Sequence, residues 1–132
     1  MNEAWTGHPS LKIIKSVNTK FKNLACFKGM EKLEELYLAR NNINAMTGYG
    51  GLPSLKRLHL RKNKIEKIEE EMEALPALQY LNLRSNSIAD KENLMRLLWK
   101  AEGEVPYPEL KDLNIINTPL ELSYSSLNVF IA

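Results

Sequence analysis

The sequence predicts an α/β solenoid, a chain wound into successive coils around one shared core, and three observations predict it. An eleven-residue pattern occurs three times without a mismatch, its spacing is nearly constant, and a proline stands at the same offset before four copies. A period of about 20 to 50 residues is the mark of a repeat architecture, because each copy is a unit that cannot bury its apolar face alone.

The pattern is L-x-x-L-x-L-x-x-N-x-I. Leu33-Glu-Glu-Leu36-Tyr-Leu38-Ala-Arg-Asn41-Asn-Ile43 recurs as Leu55-Lys-Arg-Leu58-His-Leu60-Arg-Lys-Asn63-Lys-Ile65 and as Leu78-Gln-Tyr-Leu81-Asn-Leu83-Arg-Ser-Asn86-Ser-Ile88. A looser copy holds Leu110, Leu113, Ile115 and Leu120 in register, with Thr118 at the asparagine position. The loosest begins at Leu11, with Ile14 and Phe21 in register, Thr19 at the asparagine position and Ser16 at an apolar place. Terminal repeats are expected to be atypical. Pro9, Pro53, Pro76 and Pro108 each precede a first leucine by two residues, and the five first leucines, Leu11, Leu33, Leu55, Leu78 and Leu110, are 22, 22, 23 and 32 residues apart, so the last step carries an insertion.

These residues resemble the leucine-rich-repeat family over positions 9–120, in its intracellular subclass with repeats of about 22 residues, to which the phosphatase-1 regulatory repeat protein belongs. The resemblance implies a parallel β-sheet on the concave side of an arc and short helices and turns on the convex side. The organisation expected is an amino-terminal extension (1–8) and a repeat domain (9–132) with repeats starting near 11, 33, 55, 78 and 110. A helical insertion (89–107) and a truncated helix or cap (121–132) complete it.

Each element follows from residue chemistry. The L-x-L alternation makes a short strand whose leucines point to one side. The amide of Asn41, Asn63 or Asn86 both donates and accepts, so a column of them can satisfy the backbone groups released where the chain turns inside the core. Leu24, Phe27 and Met30, then Met46 and Leu52, then Ile68, Met72 and Leu75 are expected to close the core from the convex side. Thr47-Gly-Tyr-Gly-Gly51 has paired glycines but no P-loop lysine, and reads as a convex turn. Residues 90–102 read as a helix with Leu94, Leu97, Leu98 and Ala101 as its core stripe, stopped by Gly103. Met95 and Trp99 fall on a flank of that helix, either packed beneath the Val-Pro-Tyr-Pro loop or serving as a docking knob. Tyr124, Leu127, Phe130 and Ile131 form an amphipathic pattern reaching Ala132, which is expected to be a cap cut short or a helix that continues in a longer protein.

Composition excludes several function classes. No apolar run approaches the roughly 18 to 20 residues of a membrane-spanning helix, and the first residues lack a secretory signal pattern. Cys26 is the only cysteine and no Asn-x-Ser/Thr site occurs, which fits a reducing, cytoplasmic compartment. A formal charge of +2 is small for a nucleic-acid partner, whose phosphates demand a strongly basic surface. With His8 and His59 as the only histidines and Cys26 in a core-like stretch, no metal cluster, cofactor box or Cys/His pair assembles, so a non-enzymatic role is expected.

The x positions of the strands, which face away from the core, form columns. The central column runs Lys15, Tyr37, His59, Asn82, Asn114. Its neighbours are Ile13, Glu35, Arg57, Tyr80, Asp112 and Val17, Ala39, Arg61, Arg84, Ile116, with Asn18, Arg40, Lys62, Ser85 and Asn117 at the turn. Aromatics and arginines are the residues that anchor interfaces. Tyr37, Arg57, His59, Arg61, Tyr80, Asn82 and Arg84, with Trp99 as a second surface, are therefore the candidate contacts for a protein partner bearing an acidic segment. Glu66, Glu69, Glu70, Glu71 and Glu73 read as a solvated convex face.

The run Leu78 to Asn86, the insertion after it and Leu113-Asn-Ile-Ile-Asn-Thr-Pro-Leu120 are similar to leucine-rich-repeat proteins of cilia and flagella, including radial-spoke and dynein-associated members. That resemblance implies a scaffold part of the axoneme. The same motifs are shared by phosphatase regulators and by a nuclear ribonucleoprotein subunit. A phosphatase-facing surface in the family is rich in acids and aromatics, whereas the columns here are basic.

Overall fold

A computed structural model describes residues 8–69, 73–90, 92, 93, 95, 107–119 and 128–130. The expectations for residues 1–7, Glu70, Glu71, Met72, the stripe Leu94, Leu97, Leu98 and Ala101, Trp99, Gly103, Leu120, Tyr124, Leu127 and Ile131 lie outside these residues.

Five three-residue strands stack in chain order into one parallel sheet: β1 (Ile13–Lys15), β2 (Glu35–Tyr37), β3 (Arg57–His59), β4 (Tyr80–Asn82) and β5 (Asp112–Asn114). Their register pairs equivalent repeat positions, with Ile14, Leu36, Leu58, Leu81 and Leu113 forming the middle row. Leu36, Leu58 and Leu81 are at most 1% exposed, so the leucines line up inside as the repeat requires. Burying each such side chain contributes about 1.5 to 3 kcal/mol, and stacking the coils is what makes that burial possible.

The prolines have a common structural task. In four coils the first leucine donates its N–H to the carbonyl three residues earlier: Leu11 to His8, Leu55 to Leu52, Leu78 to Leu75 and Leu110 to Tyr107, all at 3.2 Å. Proline is the second residue of each of these turns, where its fixed φ pre-forms the turn and its missing N–H costs nothing. Leu33 bonds to Met30 in the same way with Glu31 at that position.

The asparagine column works as expected. Asn63 Nδ2 donates to the carbonyls of Leu38 (2.9 Å) and Leu60 (3.0 Å) while its Oδ1 accepts from Ile43 N–H (3.1 Å). Asn86 repeats this one coil later with Leu60, Leu83 and Ile65. Asn41 bonds to Ser16 and Leu38 and accepts from the N–H groups of Thr19 and Phe21. Thr118, in the last repeat, is shorter and bonds back only to Ile115 in its own coil, at 2.7 Å.

On the convex side Leu24, Phe27, Met30, Met46, Leu52, Ile68 and Leu75 are all buried. Among the described residues there, Ala25–Phe27 form a 3-10 turn and insertion residues 92, 93 and 95 have a helical conformation. Three features depart from expectation. Tyr49, inside the glycine-rich turn, is a fully buried core residue. Glu73, expected to be a solvated acid, accepts the N–H groups of Gly48 (3.0 Å) and Gly50 (3.2 Å), and its carbonyl takes the Tyr49 hydroxyl at 2.6 Å. Gly48, Gly50 and Gly51 have φ between 69° and 90°, a backbone open to glycine, and this curls the turn around the carboxylate. Finally, Asn128–Phe130 is a strand, β6, running antiparallel to β5, where the apolar spacing predicted a helix or cap. An antiparallel strand still covers an open sheet edge, which is the physical demand that a cap answers.

Candidate partner-binding face

The columns anticipated from the repeat are those of the structure. Glu35, Arg57, Tyr80 and Asp112 are neighbours in register, as are Tyr37, His59, Asn82 and Asn114. Three rings make a continuous shelf across β2, β3 and β4. Tyr37 stacks on His59 with centroids 4.3 Å apart and planes 20° apart, and His59 meets Tyr80 at 4.8 Å and 34°. Cations flank it: the Arg57 guanidinium lies 4.5 Å from the Tyr80 centroid and Lys15 Nζ 5.2 Å from that of Tyr37. Such contacts hold the cations over the ring faces, each at about 0.5 to 1 kcal/mol for exposed groups.

The shelf is electrically defined. Burial, and then the positive charge of Arg57, push the His59 imidazole down to about 4, so it is neutral at pH 7. Its Nε2 is buried without a hydrogen-bond partner. The hydrogen bond that Tyr37 donates to the Glu35 carboxylate, and then burial, hold the phenol above its ordinary value, so it stays a neutral ring.

Arg61 and Arg84 stand farther along, where the strands turn. Asn82 sits beside His59 in register, but its Oδ1 already accepts the Arg84 N–H at 3.0 Å, so part of the side chain serves the local turn. Trp99 lies outside the described residues. Met95, on the alternative surface, is 39% exposed. The first coil adds exposed Ile13 and Val17, giving the face an apolar end.

Arg40 and Lys62, which flank the turn, border Arg61 and Arg84 directly: Arg40 N–H donates to the Arg61 carbonyl and Lys62 N–H to that of Arg84, both at 2.9 Å. Sequence reasoning missed three polar or aromatic residues in the core. Tyr49 follows Phe27 by 22 residues, and Tyr107 precedes Pro108 as Leu52 and Leu75 precede Pro53 and Pro76, so the repeat spacing could have found both. Asn93, buried in the insertion, accepts the Ile68 N–H, and no periodic signal marks it.

Chemically the face can grip and orient but presents no assembled nucleophile. Cys26 lies on the convex side, half-buried, with its thiol pushed up to about 11 by burial. Among the described residues no three His, Cys, Asp or Glu side chains converge to hold a metal ion, and no helix there is long and apolar enough to cross a membrane.

No curated protein matches the chain. A family model described as Leucine rich repeat matches residues 47–88, the stretch that contains β3 and β4 with their asparagine turns, and the parallel sheet of stacked coils fits a solenoid of that kind.

Proposed function

We propose that this chain is a non-catalytic scaffold that captures a protein partner on its concave face, with Tyr37, His59 and Tyr80 as the packing surface and Arg57, Arg61 and Arg84 as anchors for acidic groups. Repeats of this family generally mediate protein–protein interaction, which supports a binding role. The single observation that carries the reading is the Tyr37–His59–Tyr80 shelf, one stacked and one tilted ring contact running across an open sheet and bordered by cations. Rigid aromatics supply contact area at little conformational cost, and arginine pairs with carboxylates through two parallel hydrogen bonds.

The resemblance of the Leu78–Leu120 stretch to ciliary and flagellar repeat proteins extends the reading to a docking component of the axoneme, radial-spoke or dynein-associated, in the cytoplasm of a ciliated cell. The basic character of the face disfavours a phosphatase-regulating role.

The test is affinity capture from ciliated cells with the intact chain beside a Tyr37→Ala/His59→Ala/Tyr80→Ala variant, followed by reconstitution of any identified pair from purified proteins. The reading expects an axonemal protein with an acidic segment to bind the intact chain and to lose at least about ten-fold in affinity for the variant, as for two or more interface anchors. Equal binding of the partner to both would overturn it.

A further inference from the structure

At the carboxyl ends of β2, β3 and β4 four cations meet with no acid among them. Arg40 and Lys62 are equivalent residues of adjacent coils, as are Arg61 and Arg84, and the backbone bonds from Arg40 to Arg61 and from Lys62 to Arg84 lace the two columns together. Adjacent coils in a parallel sheet are about 5 Å apart, so the four side chains spring from a patch about 10 Å across. The ion pairs among the described residues, Lys56–Glu34 and Lys67–Glu69, use none of them. Arg61 Nε is buried without a hydrogen-bond partner.

The neighbouring columns show that this is not how the chain spaces its charges elsewhere. Ahead of the strands run Lys12, Glu34, Lys56, Gln79 and Lys111, with Lys56 paired to Glu34, and the next column runs Ile13, Glu35, Arg57, Tyr80 and Asp112. Both intersperse the two signs, as a surface does when charge serves solubility alone. The turn edge, unlike these two columns, gathers one sign, and Arg40, Arg61 and Arg84 together press the Lys62 ammonium below its ordinary pKa.

The backbone there adds to the case. Asn18, Arg40, Lys62, Ser85 and Asn117 all hold φ between 57° and 60°, a left-handed conformation that asparagine tolerates better than long side chains do. The end coils have asparagine at this position, and two of the middle coils carry cations instead.

Resting on the concave-face reading, we propose that Arg40, Arg61, Lys62 and Arg84 form a phosphate-recognition site, taking a phosphoserine or phosphothreonine of the partner segment whose flanking residues lie on the aromatic shelf. A phosphomonoester carries a charge of about −1.5 to −2 and three acceptor oxygens at pH 7, so one compact group answers several crowded cations at once. A lone carboxylate offers one charge and two oxygens.

The test is an NMR titration of the full chain, reading the arginine Nε–Hε signals, with three peptides of one sequence: acetyl-Gly-Ala-phosphoserine-Ala-Gly-amide and its serine and aspartate counterparts. The phosphopeptide is expected to bind about ten-fold tighter than the aspartate peptide, with the serine peptide inert. Arg40→Asn/Lys62→Asn, which installs the residue that Asn18 and Asn117 already place in this conformation, is expected to weaken phosphopeptide binding about ten-fold with the fold intact by circular dichroism. Lys12→Gln/Lys111→Gln removes the same charge elsewhere and is expected to leave affinity within about two-fold, the screened effect of distant charge. Equal affinity for the phosphoserine and aspartate peptides, or equal losses in the two paired variants, would overturn the proposal. So would tighter binding of a single-stranded oligonucleotide than of the phosphopeptide. If the peptide test fails while partner capture still depends on Tyr37, His59 and Tyr80, the phosphate site falls and the concave reading stands. If phosphopeptide binding holds and capture ignores those rings, the concave reading falls instead.

Discussion

Within a few residues of one coil, the turn beneath the sheet and the open face above it treat polar atoms in opposite ways. Asn63, 7% exposed, engages both ends of its amide, tying Leu38, Leu60 and Ile43 across adjacent coils. Two residues earlier, Arg61 leaves Nε without a partner, and two before that His59 leaves Nε2 without one. The closed network recurs in Asn41 and Asn86 and serves the fold, since a buried orphan costs about 1 to 3 kcal/mol. These two unmet atoms belong to side chains of the outward columns, and they lie outside the network that ties one coil to the next. A solenoid can thus keep its specificity on one side of each strand and its stability on the other.

The sharpest way to break this comparison is Asn63→Leu, which fits the apolar surroundings and strands several backbone groups at once. It is expected to lower unfolding free energy by about 2 to 4 kcal/mol in urea denaturation. A loss no larger than that of an exposed substitution would show that the column is not structural.

An intermediate effect concerns pH. The folded state holds the His59 imidazole near 4 against an ordinary value of 6.5, so as pH falls the unfolded chain takes up this proton first. The stability that depends on neutral His59 is therefore complete above about pH 6.5 and is lost as pH falls toward 4. Allowing for solvent screening of a half-buried ring, the loss is about 1 kcal/mol. His59→Gln should flatten that slope in urea midpoints measured at pH 7 and pH 4.5. An unchanged slope would mean that the ring is well solvated.

The smallest effect is expected at the turn edge. Arg40→Asn/Lys62→Asn suits the left-handed backbone and relieves like-charge crowding, so folding stability should move by no more than about 0.5 kcal/mol. A large loss would assign these cations to the fold.

How much of this could be read from the chain follows the same division. The sheet register, the leucine row and the columns holding Tyr37, His59 and Tyr80 were legible because every coil repeats one solution, and a one-residue slip would turn leucines outward. What was not legible depends on contacts made once. Glu73 is one acid in an acid-rich stretch until Gly48 and Gly50 point their N–H groups at it. Tyr49 and Tyr107 were in register with core positions, but their flanking glycines and prolines drew attention to turns. The strand at Asn128–Phe130 was hidden by a helical spacing of apolar residues, and sheet pairing with β5 outweighs that local pattern.

The central claim, that the open face rather than the insertion receives the partner, is tested most directly by hydroxyl-radical footprinting of the purified complex. The account predicts that Tyr37 and Tyr80 lose reactivity on binding while the exposed Met95 keeps it. Protection of Met95 with Tyr37 and Tyr80 as reactive as in the free chain would contradict it.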